Sequence, residues 1–332
     1  MSKKVIHSET IFVDSGAHSI YNIEVLKSKK KQGKHGKTLD KPPVAWGGSD
    51  PKTDYSYFDL TKGSPFRKYC DDYAAFIKHV QPKGVICANV DAISNPELTW
   101  QIQRFFEEEH GVQPVPIVHC YTPMGYVDRY LEAGKYDLMG VGGLGQGISK
   151  HEYFTWGDQF FRHICPKSNK YLPVIKTHGF AMTSLQLMIR WPWWSVDSAT
   201  WVKLSAYGWI YIPRWSRSKG FRFDLTPRTI NFSFRSPQKK ISKKHYDNYL
   251  KSFPEAKVDV DKWMERLGIG LGSVDQEGNT VEFGLTSHHR ARSVANLTYL
   301  SDLQDSLPPW PHPLDNRIVC PPSRAYWKGL GL

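Results

Sequence analysis

Residues 115–145 read VPIVHCYTPMGYVDRYLEAGKYDLMGVGGLG, and this stretch decides the fold. Apolar runs at 115–120 and 137–141 flank a segment at 125–134 whose apolar residues have helical spacing. Strands that are apolar throughout are buried on both faces, which is typical of parallel strands covered by helices. The stretch therefore predicts a strand–helix–strand unit of an α/β protein.

The same alternation extends along the chain in both directions. Further strands are predicted at 10–13, 84–90, 173–176, 194–198 and 209–212, with helices over 66–80, 96–111, 151–164 and 182–190. Six or more such units in series favour a closed TIM-like (β/α)8 barrel over an open doubly wound sheet. Beyond residue 213 the pattern weakens into helices near 244–252 and 284–300 and a hairpin at 274–283. We expect a catalytic barrel over residues 1–260, with an insertion at about 21–65, and a packed C-terminal extension over 261–332.

Positive charge is concentrated in two parts of the chain, whose formal net charge is +12 in 332 residues. Residues 27–41, in the insertion, hold seven lysines against one acid, and residues 203–244 hold eleven Lys or Arg against one acid. Clustered basic side chains gain affinity for polyanions by releasing counterions, so the pattern predicts nucleic-acid contact. The candidate contact residues are Lys29, Lys30, Lys31, Lys34, Arg214, Arg217, Lys219 and Arg222.

The cysteines and the apolar runs of the chain bear on where in the cell the protein acts. The five cysteines form no CxxC pair, which indicates reduced thiols and predicts a cytoplasmic protein. The N-terminal segment lacks the apolar run of a secretion signal, and no run of about eighteen apolar residues occurs, so no membrane partner is predicted.

Polar or glycine-rich groups follow nearly every predicted strand. In a parallel barrel the carboxyl ends of all strands open on one rim, so groups far apart in sequence converge there. A single strand-end Asp often only caps a turn, but six such groups on one rim favour a functional site. The groups are Asp14-Ser15-Gly16, Asp91, His119, Gly142-Gly143-Leu144-Gly145, Lys176-Thr177-His178 and Asp197-Ser198.

Residues 140–145 (GVGGLG) also match the dinucleotide-binding pattern G-x-G-x-x-G, which raises an NAD-dependent oxidoreductase as an alternative. The motif follows the fourth strand rather than the first, and the acid expected about twenty residues later is missing. Both departures weaken this alternative.

The order of these motifs resembles the tRNA-guanine transglycosylases. The similar segments are Val13-Asp14-Ser15-Gly16, Asp91, Val141-Gly142-Gly143-Leu144, His178-Gly179-Phe180 and Val196-Asp197, spread over about residues 10–200. The resemblance implies a barrel enzyme that replaces guanine in a nucleic acid. Removal of guanine develops oxocarbenium character at C1′, which a carboxylate can trap covalently.

The resemblance also implies roles for individual residues. Asp197 is expected to be the nucleophile and Asp14 the group that moves a proton to and from the base. Asp91 is expected to accept hydrogen bonds from guanine, with His119 as a further contact to the base. His178 is a weaker base-binding candidate, because it could equally be a satisfied structural group. The other expected base contacts come from Ser15, Gly16, Gly142, Gly143 and Leu144.

Two departures from the family's pattern point to a substrate other than tRNA. The first loop reads DSGAHS rather than DSGGFQ, and only Cys320 follows Asp197, so the family's C-terminal CxCxxC zinc site is missing. We therefore expect no metal and no cofactor. Together with the PWWSVDS strand at 192–198, these features resemble the phage-type DNA-guanine transglycosylases, which insert 7-deazaguanines into DNA.

The expected partners are therefore double-stranded DNA and a preQ0-type base. The protein would act in the host cytoplasm if a phage encodes it, and a homodimer is possible because many relatives form one. Two alternatives remain open: a tRNA-guanine transglycosylase without zinc, and a non-catalytic nucleic-acid-binding subunit. The aromatic residues between the basic residues at 214–223 could stack on a nucleotide or pack in a core.

Overall fold

The computed structural model describes residues 11–15, 55–93, 95–143, 150–182, 184–236 and 244–314. The chain forms two compact units. Of the described residues, the first unit contains 11–182 and Trp191–Asp197, and the second contains 184–190 and 198–314. The domain boundary expected near residue 260 lies inside this second unit.

The described part of the first unit has six strands and four α-helices, which alternate up to the fifth strand. They are β1 (Phe12–Val13), α1 (Pro65–Val80), β2 (Ile86–Cys87), α2 (Pro96–His110), β3 (Ile117–His119), α3 (Met124–Glu132), β4 (Leu138–Gly142), α4 (Lys150–Ile164), β5 (Lys176–Gly179) and β6 (Ser195–Val196).

Local sequence signals set the ends of these helices. Ser64 and Asn95 cap α1 and α2 by accepting hydrogen bonds from the backbone N–H groups three residues later, and a proline follows each cap. Gly111 ends α2 in the left-handed conformation, with φ of 63°, which glycine adopts without a Cβ clash. These are the boundaries that the sequence predicts for α2.

The six strands of the first unit run parallel and follow chain order. β1 pairs with β2, and β3 to β6 form one four-stranded sheet. A parallel bridge between Ala88 and Val115 joins the two sets. The predicted α/β class with parallel strands is confirmed. Among the described residues, no strand pairs with the second edge of β6.

The fifth strand begins three residues later than the sequence predicts. Pro173 has no N–H to donate, and the Val174 N–H donates to the Ile164 carbonyl at 2.9 Å, so residues 173–175 still belong to the connection from α4. Sheet pairing starts at Lys176, which faces Leu138 of β4.

Aromatic side chains fill the core beneath α4. The rings of Phe161 and Trp191 stack at 5.3 Å, and the Trp191 indole N–H donates to Asp158 at 2.8 Å. Gly157 makes room for this ring, because a Cβ at that position would lie 2.4 Å from Trp191 Cη2. Close packing of this kind leaves no space for an added methyl group.

The second unit combines short antiparallel pairs with helices. Its elements are α5 (Leu185–Arg190), α6 (Thr200–Ala206), β7 (Trp209–Ile212), β8 (Arg214–Ser216), β9 (Gly220–Arg222), β10 (Arg228–Asn231), α7 (Tyr246–Ser252), α8 (Ala256–Leu267), β11 (Ser273–Val274), β12 (Thr280–Glu282) and α9 (His289–Ser306). β7 pairs with β10, β8 with β9, and β11 with β12, all antiparallel. The predicted strand at 209–212 and the predicted hairpin near 274–283 are present.

Polar side chains hold α9 to the rest of the second unit. Asn296 is fully buried and bonds to the Tyr211 N–H and to the Trp201 and Trp209 carbonyls. Arg292 donates to the Ser205 carbonyl at 2.8 Å, and burial lowers its pKa to about 10. Most of these partners are specific backbone groups, and Asn296 also donates to the Ser205 hydroxyl at 3.0 Å, so the network fixes the register of α9.

Candidate functional site

Several of the predicted site residues lie on one face of the parallel sheet. Neighbours in register on parallel strands point to the same side of a sheet, and alternate residues along a strand share that side. His119 is in register with Gly142, and His178 with Ser195. Asp197 lies two residues beyond Ser195 and so follows the same alternation. We call the side that carries these residues the inner face.

The sheet curls so that β1 approaches β5 across the inner face. Adjacent strands lie about 4.8 Å apart, so β1 and β5, four strands apart, would be separated by about 19 Å on a flat sheet. The rings of Phe12 on β1 and His178 on β5 instead stack at a centroid distance of 4.5 Å with an interplanar angle of 16°. The strand that leads to Asp14 is therefore held near β5, which pairs with β6, the strand that leads to Asp197.

Asp91 and His119 form a pair at the ends of β2 and β3. His119 Nε2 lies 2.7 Å from Asp91 Oδ2, and the two side chains are 11% and 13% exposed. The His119 backbone N–H donates to the Thr122 hydroxyl at 2.9 Å, which closes the turn after β3. The sequence predicts that both residues lie at one rim, but it does not predict their contact with each other.

Two glycines allow the end of β4 to pack closely against His119 and Cys120. A Cβ on Gly142 would lie 3.1 Å from His119 Cδ2, and one on Gly143 would lie 3.0 Å from the Cys120 backbone nitrogen. Gly143 also has φ of 107°, a conformation that side chains rarely adopt. The Gly142 backbone is buried against the His119 ring, so the close approach depends on the absence of a side chain here. Leu144, the third residue of this predicted loop, lies outside the described residues.

Asp197 combines an exposed carboxylate with a fixed backbone. Its backbone N–H donates to the Gly179 carbonyl at 3.1 Å, and its carbonyl accepts from the Met182 N–H at 2.7 Å. The Ala181 N–H donates to Oδ1 at 2.7 Å, while the side chain remains 60% exposed. A carboxylate that is oriented by a backbone donor and open to solvent is suited to nucleophilic attack.

Two residues with a strained backbone conformation lie at the same rim. Ala181, which orients Asp197, has φ of 50°, and Tyr121, two residues after His119, has φ of 73°. Residues other than glycine rarely adopt such values, and the strain is concentrated at functional sites in many proteins. The strained residues follow β5 and β3, which carry two of the predicted site residues.

Asp14 follows β1 at the surface of the first unit. The Asp14 residue is exposed, whereas Ser15 is buried and its carbonyl accepts a hydrogen bond from the Tyr69 hydroxyl. Burial raises the pKa of Tyr69 to about 12, and the charges of Cys70 and Asp14 add to this effect. Gly16, predicted with them, lies outside the described residues.

His178 lies beside Ser195 and Asp197. Its Nδ1 lies 2.8 Å from the Ser195 hydroxyl and its Nε2 lies 3.7 Å from Asp197 Oδ1. Both ring nitrogens therefore face protein groups. Ser195 was not among the predicted site residues, although its position two residues before Asp197 placed it on the same face of the strand.

The predicted nucleic-acid contacts of the second unit lie on the β8–β9 hairpin. Arg214 and Arg222 face each other across it, and Arg217 and Lys219 lie in its turn. Arg222 forms an ion pair with Asp224. The predicted contacts Lys29, Lys30, Lys31 and Lys34 lie outside the described residues.

The aromatic residues of this hairpin region divide between two environments. Phe221 packs at 5.4 Å from the buried ring of Trp263, and Phe223 at 5.5 Å from that of Tyr299. Both belong to the hydrophobic core of the second unit, so core packing is the correct alternative for them. Trp215 is half-buried, and Lys262 Nζ lies 5.8 Å from its ring.

In the described ranges, three or more His, Cys, Asp or Glu side chains never gather in an arrangement that could hold a metal ion. None of the helices in the same ranges has the length and apolar character needed to cross a bilayer. No protein-family model, curated protein or solved structure matches the chain.

Proposed function

We propose that this chain is a DNA-guanine transglycosylase, which exchanges guanine for a 7-deazaguanine through a covalent aspartyl-glycosyl intermediate. The observation that carries the proposal is the inner face itself. An exposed, oriented carboxylate at Asp197 shares this face with the paired Asp91 and His119. A nucleophile beside a polar edge for a flat base is the arrangement that base exchange requires.

We further propose that the parallel strands of the first unit belong to a TIM-like (β/α)8 barrel. Six parallel strands in chain order, curled so that Phe12 meets His178, support this architecture. The proposal also accounts for the position of the site, because catalytic groups of such barrels lie at the carboxyl ends of the strands.

In the proposed reaction an Asp197 oxygen attacks C1′ of the target nucleotide. The Oδ–C1′ bond forms as the C1′–N9 bond breaks, and the electron pair of that bond leaves with guanine. Protonated Asp14 supplies the proton that neutralises the departing base. In the second half, the incoming 7-deazaguanine loses its N9 proton to Asp14 as N9 attacks C1′, which releases the Asp197 carboxylate.

Base recognition is assigned to Asp91. A carboxylate can bridge the N1–H and the exocyclic amino group of guanine, two donors that adenine does not present in the same arrangement. His119 fixes the orientation of this carboxylate through its 2.7 Å contact. Only guanine-like bases can pair with the buried polar groups of such a site. Other bases are rejected strongly, because they leave these protein groups without hydrogen-bond partners.

The choice of DNA over tRNA rests on the sequence. The chain has one cysteine after Asp197, so it lacks the CxCxxC motif of the tRNA enzymes. The β8–β9 turn presents Arg217 and Lys219, which can neutralise phosphates of either polymer. Transglycosylation of tRNA is the competing outcome of the test below.

The test offers radiolabelled guanine or 7-cyano-7-deazaguanine to the protein with duplex DNA and with tRNA in parallel. We expect label to enter DNA. Asp197→Ala should abolish both exchange and the covalent adduct, and Asp14→Asn should slow turnover by about 10²-fold or more while DNA binding is retained. Asp128→Asn, at an exposed ion pair with His163, is the matched control and should exchange at the normal rate.

The outcomes separate the alternatives. Label in tRNA alone would reject DNA as the substrate, and no label in either polymer would reject the enzymatic proposal. An adduct that survives Asp197→Ala would move the nucleophile to another residue.

A further inference from the structure

We infer that His178 is a positioning residue for the nucleophile: held by Ser195 and Phe12, it keeps Asp197 Oδ1 fixed so that Oδ2 is directed at the sugar. This inference rests on the proposed function and deepens it. It assigns His178 a role other than contact with the base, and it gives Ser195 a role of its own.

The geometry places His178 between two strands and the nucleophile. Its ring lies on β5, in register with Ser195 on β6, and Nδ1 is 2.8 Å from the Ser195 hydroxyl. Nε2 is 3.7 Å from Asp197 Oδ1. The protonation that serves both nitrogens has a proton on Nε2, facing the carboxylate, with the Ser195 hydroxyl donating to Nδ1.

The ring has little freedom to leave this position. Phe12 stacks on it at 4.5 Å, and the edge of Phe180 contacts it at 4.7 Å and 79°. The side chain is 8% exposed. Burial lowers the pKa of His178, and the nearby charge of Asp197 opposes this effect. A neutral imidazole locked by packing is a fixed dipole rather than a mobile charge.

Oδ1 of Asp197 therefore has two neighbours in the protein. The Ala181 N–H donates to it at 2.7 Å, and His178 Nε2 lies one ångström farther away, at 3.7 Å. A distance of 3.7 Å exceeds a hydrogen bond, so the contact tightens only if the carboxylate shifts toward the ring. With Oδ1 engaged on that side, Oδ2 is the oxygen left to attack C1′. Preorganisation of this kind lowers the barrier without adding a new reacting group.

Two substitutions isolate this role. His178→Phe keeps a ring that can stack on Phe12 but removes both nitrogens, and His178→Gln keeps an N–H that can reach the carboxylate. We expect His178→Phe to slow formation of the covalent DNA adduct by about 10- to 100-fold, the effect of one hydrogen bond to a charged group, which the 3.7 Å contact becomes when the carboxylate shifts toward the ring during the reaction. KM for the free base should not change, and His178→Gln should recover most of the rate.

A spectroscopic measurement checks the contact without relying on turnover. Two-bond proton–nitrogen NMR correlations of the histidine rings should identify one neutral ring protonated at Nε2, absent in His178→Phe, whose signals shift in Asp197→Asn. Circular dichroism and urea unfolding establish that each variant is folded.

The possible results distinguish this inference from the function on which it rests. An adduct formed at the wild-type rate by folded His178→Phe overturns the positioning role and leaves the proposed function intact, as do histidine signals that are unchanged by Asp197→Asn. A rise in KM for the base with normal adduct formation would return His178 to base binding. Wild-type protein that forms no adduct with DNA or tRNA overturns both.

Discussion

Replacement of Asp259 by Asn should destabilise the second unit by about 3–5 kcal/mol, because it leaves a buried arginine without its counter-charge. Arg228 and Asp259 are both 7% exposed, and Arg228 Nε lies 2.6 Å from Asp259 Oδ2. The other carboxylate oxygen accepts a hydrogen bond from the Trp215 N–H at 2.8 Å. Asn has nearly the same shape as Asp, so the substitution removes the charge while it creates almost no cavity.

The remaining acids near Arg228 cannot replace Asp259. Glu255 Oε1 lies 3.6 Å from Arg228 Nη2, but the Glu255 side chain is 64% exposed and its charge is screened by solvent. The guanidinium would then remain buried with only partial neutralisation. The same change weakens the anchor of β8, because Asp259 on α8 holds the Trp215 backbone.

The assay is urea unfolding at neutral pH followed by tryptophan fluorescence, with hydrogen exchange of peptides from residues 214–231 as a local readout. Asp261→Asn is the matched control on the same helix, since Asp261 pairs with Lys257 and both side chains are more than half exposed. That substitution should change the stability by a small fraction of the Asp259 effect. A double variant, Arg228→Met with Asp259→Leu, should recover most of the loss because no charge stays buried.

Equal unfolding midpoints for Asp259→Asn and Asp261→Asn would refute this reasoning. So would hydrogen exchange at residues 214–231 that does not accelerate in Asp259→Asn, because the hairpin would then not depend on the buried pair.

Three further predictions follow from packing, charge and burial. Gly157→Ala should lower the free energy of unfolding by about 1–3 kcal/mol, since the added Cβ would lie 2.4 Å from Trp191. Gly125→Ala is the control and should not destabilise the protein, because no atom lies within 4 Å of its added Cβ. Equal urea midpoints for the two variants would contradict this prediction. Arg217→Ala with Lys219→Ala should reduce the slope of log affinity for DNA against log salt by up to about 2, measured by fluorescence anisotropy, and an unchanged slope would exclude phosphate contacts there. Burial raises the pKa of four thiols, which should resist alkylation until the protein unfolds; peptide mapping that finds them labelled in native buffer would show otherwise. These are Cys70, Cys87, Cys120 and Cys165.

Sequence reasoning predicted the parallel α/β class and the strands of the first unit because these depend on local patterns. A strand buried on both faces is apolar throughout, and a cap such as Asn95 acts on the next turn of its own helix. Less of the second unit was predictable. Its helix α8 and strand β10 were not predicted, and they meet through the Arg228–Asp259 pair, which joins residues 31 positions apart.

The same division applies to the candidate site. That Asp91, His119 and Asp197 would share a rim follows from sequence alone, since the carboxyl ends of parallel strands lie on one edge. That Asp91 pairs with His119, and that His178 lies beside Ser195 and Asp197, was decided by the tertiary structure. The stack of Phe12 on His178 shows why. It exists only because the sheet curls, and the curl results from packing over the whole sheet, which no local pattern of residues encodes.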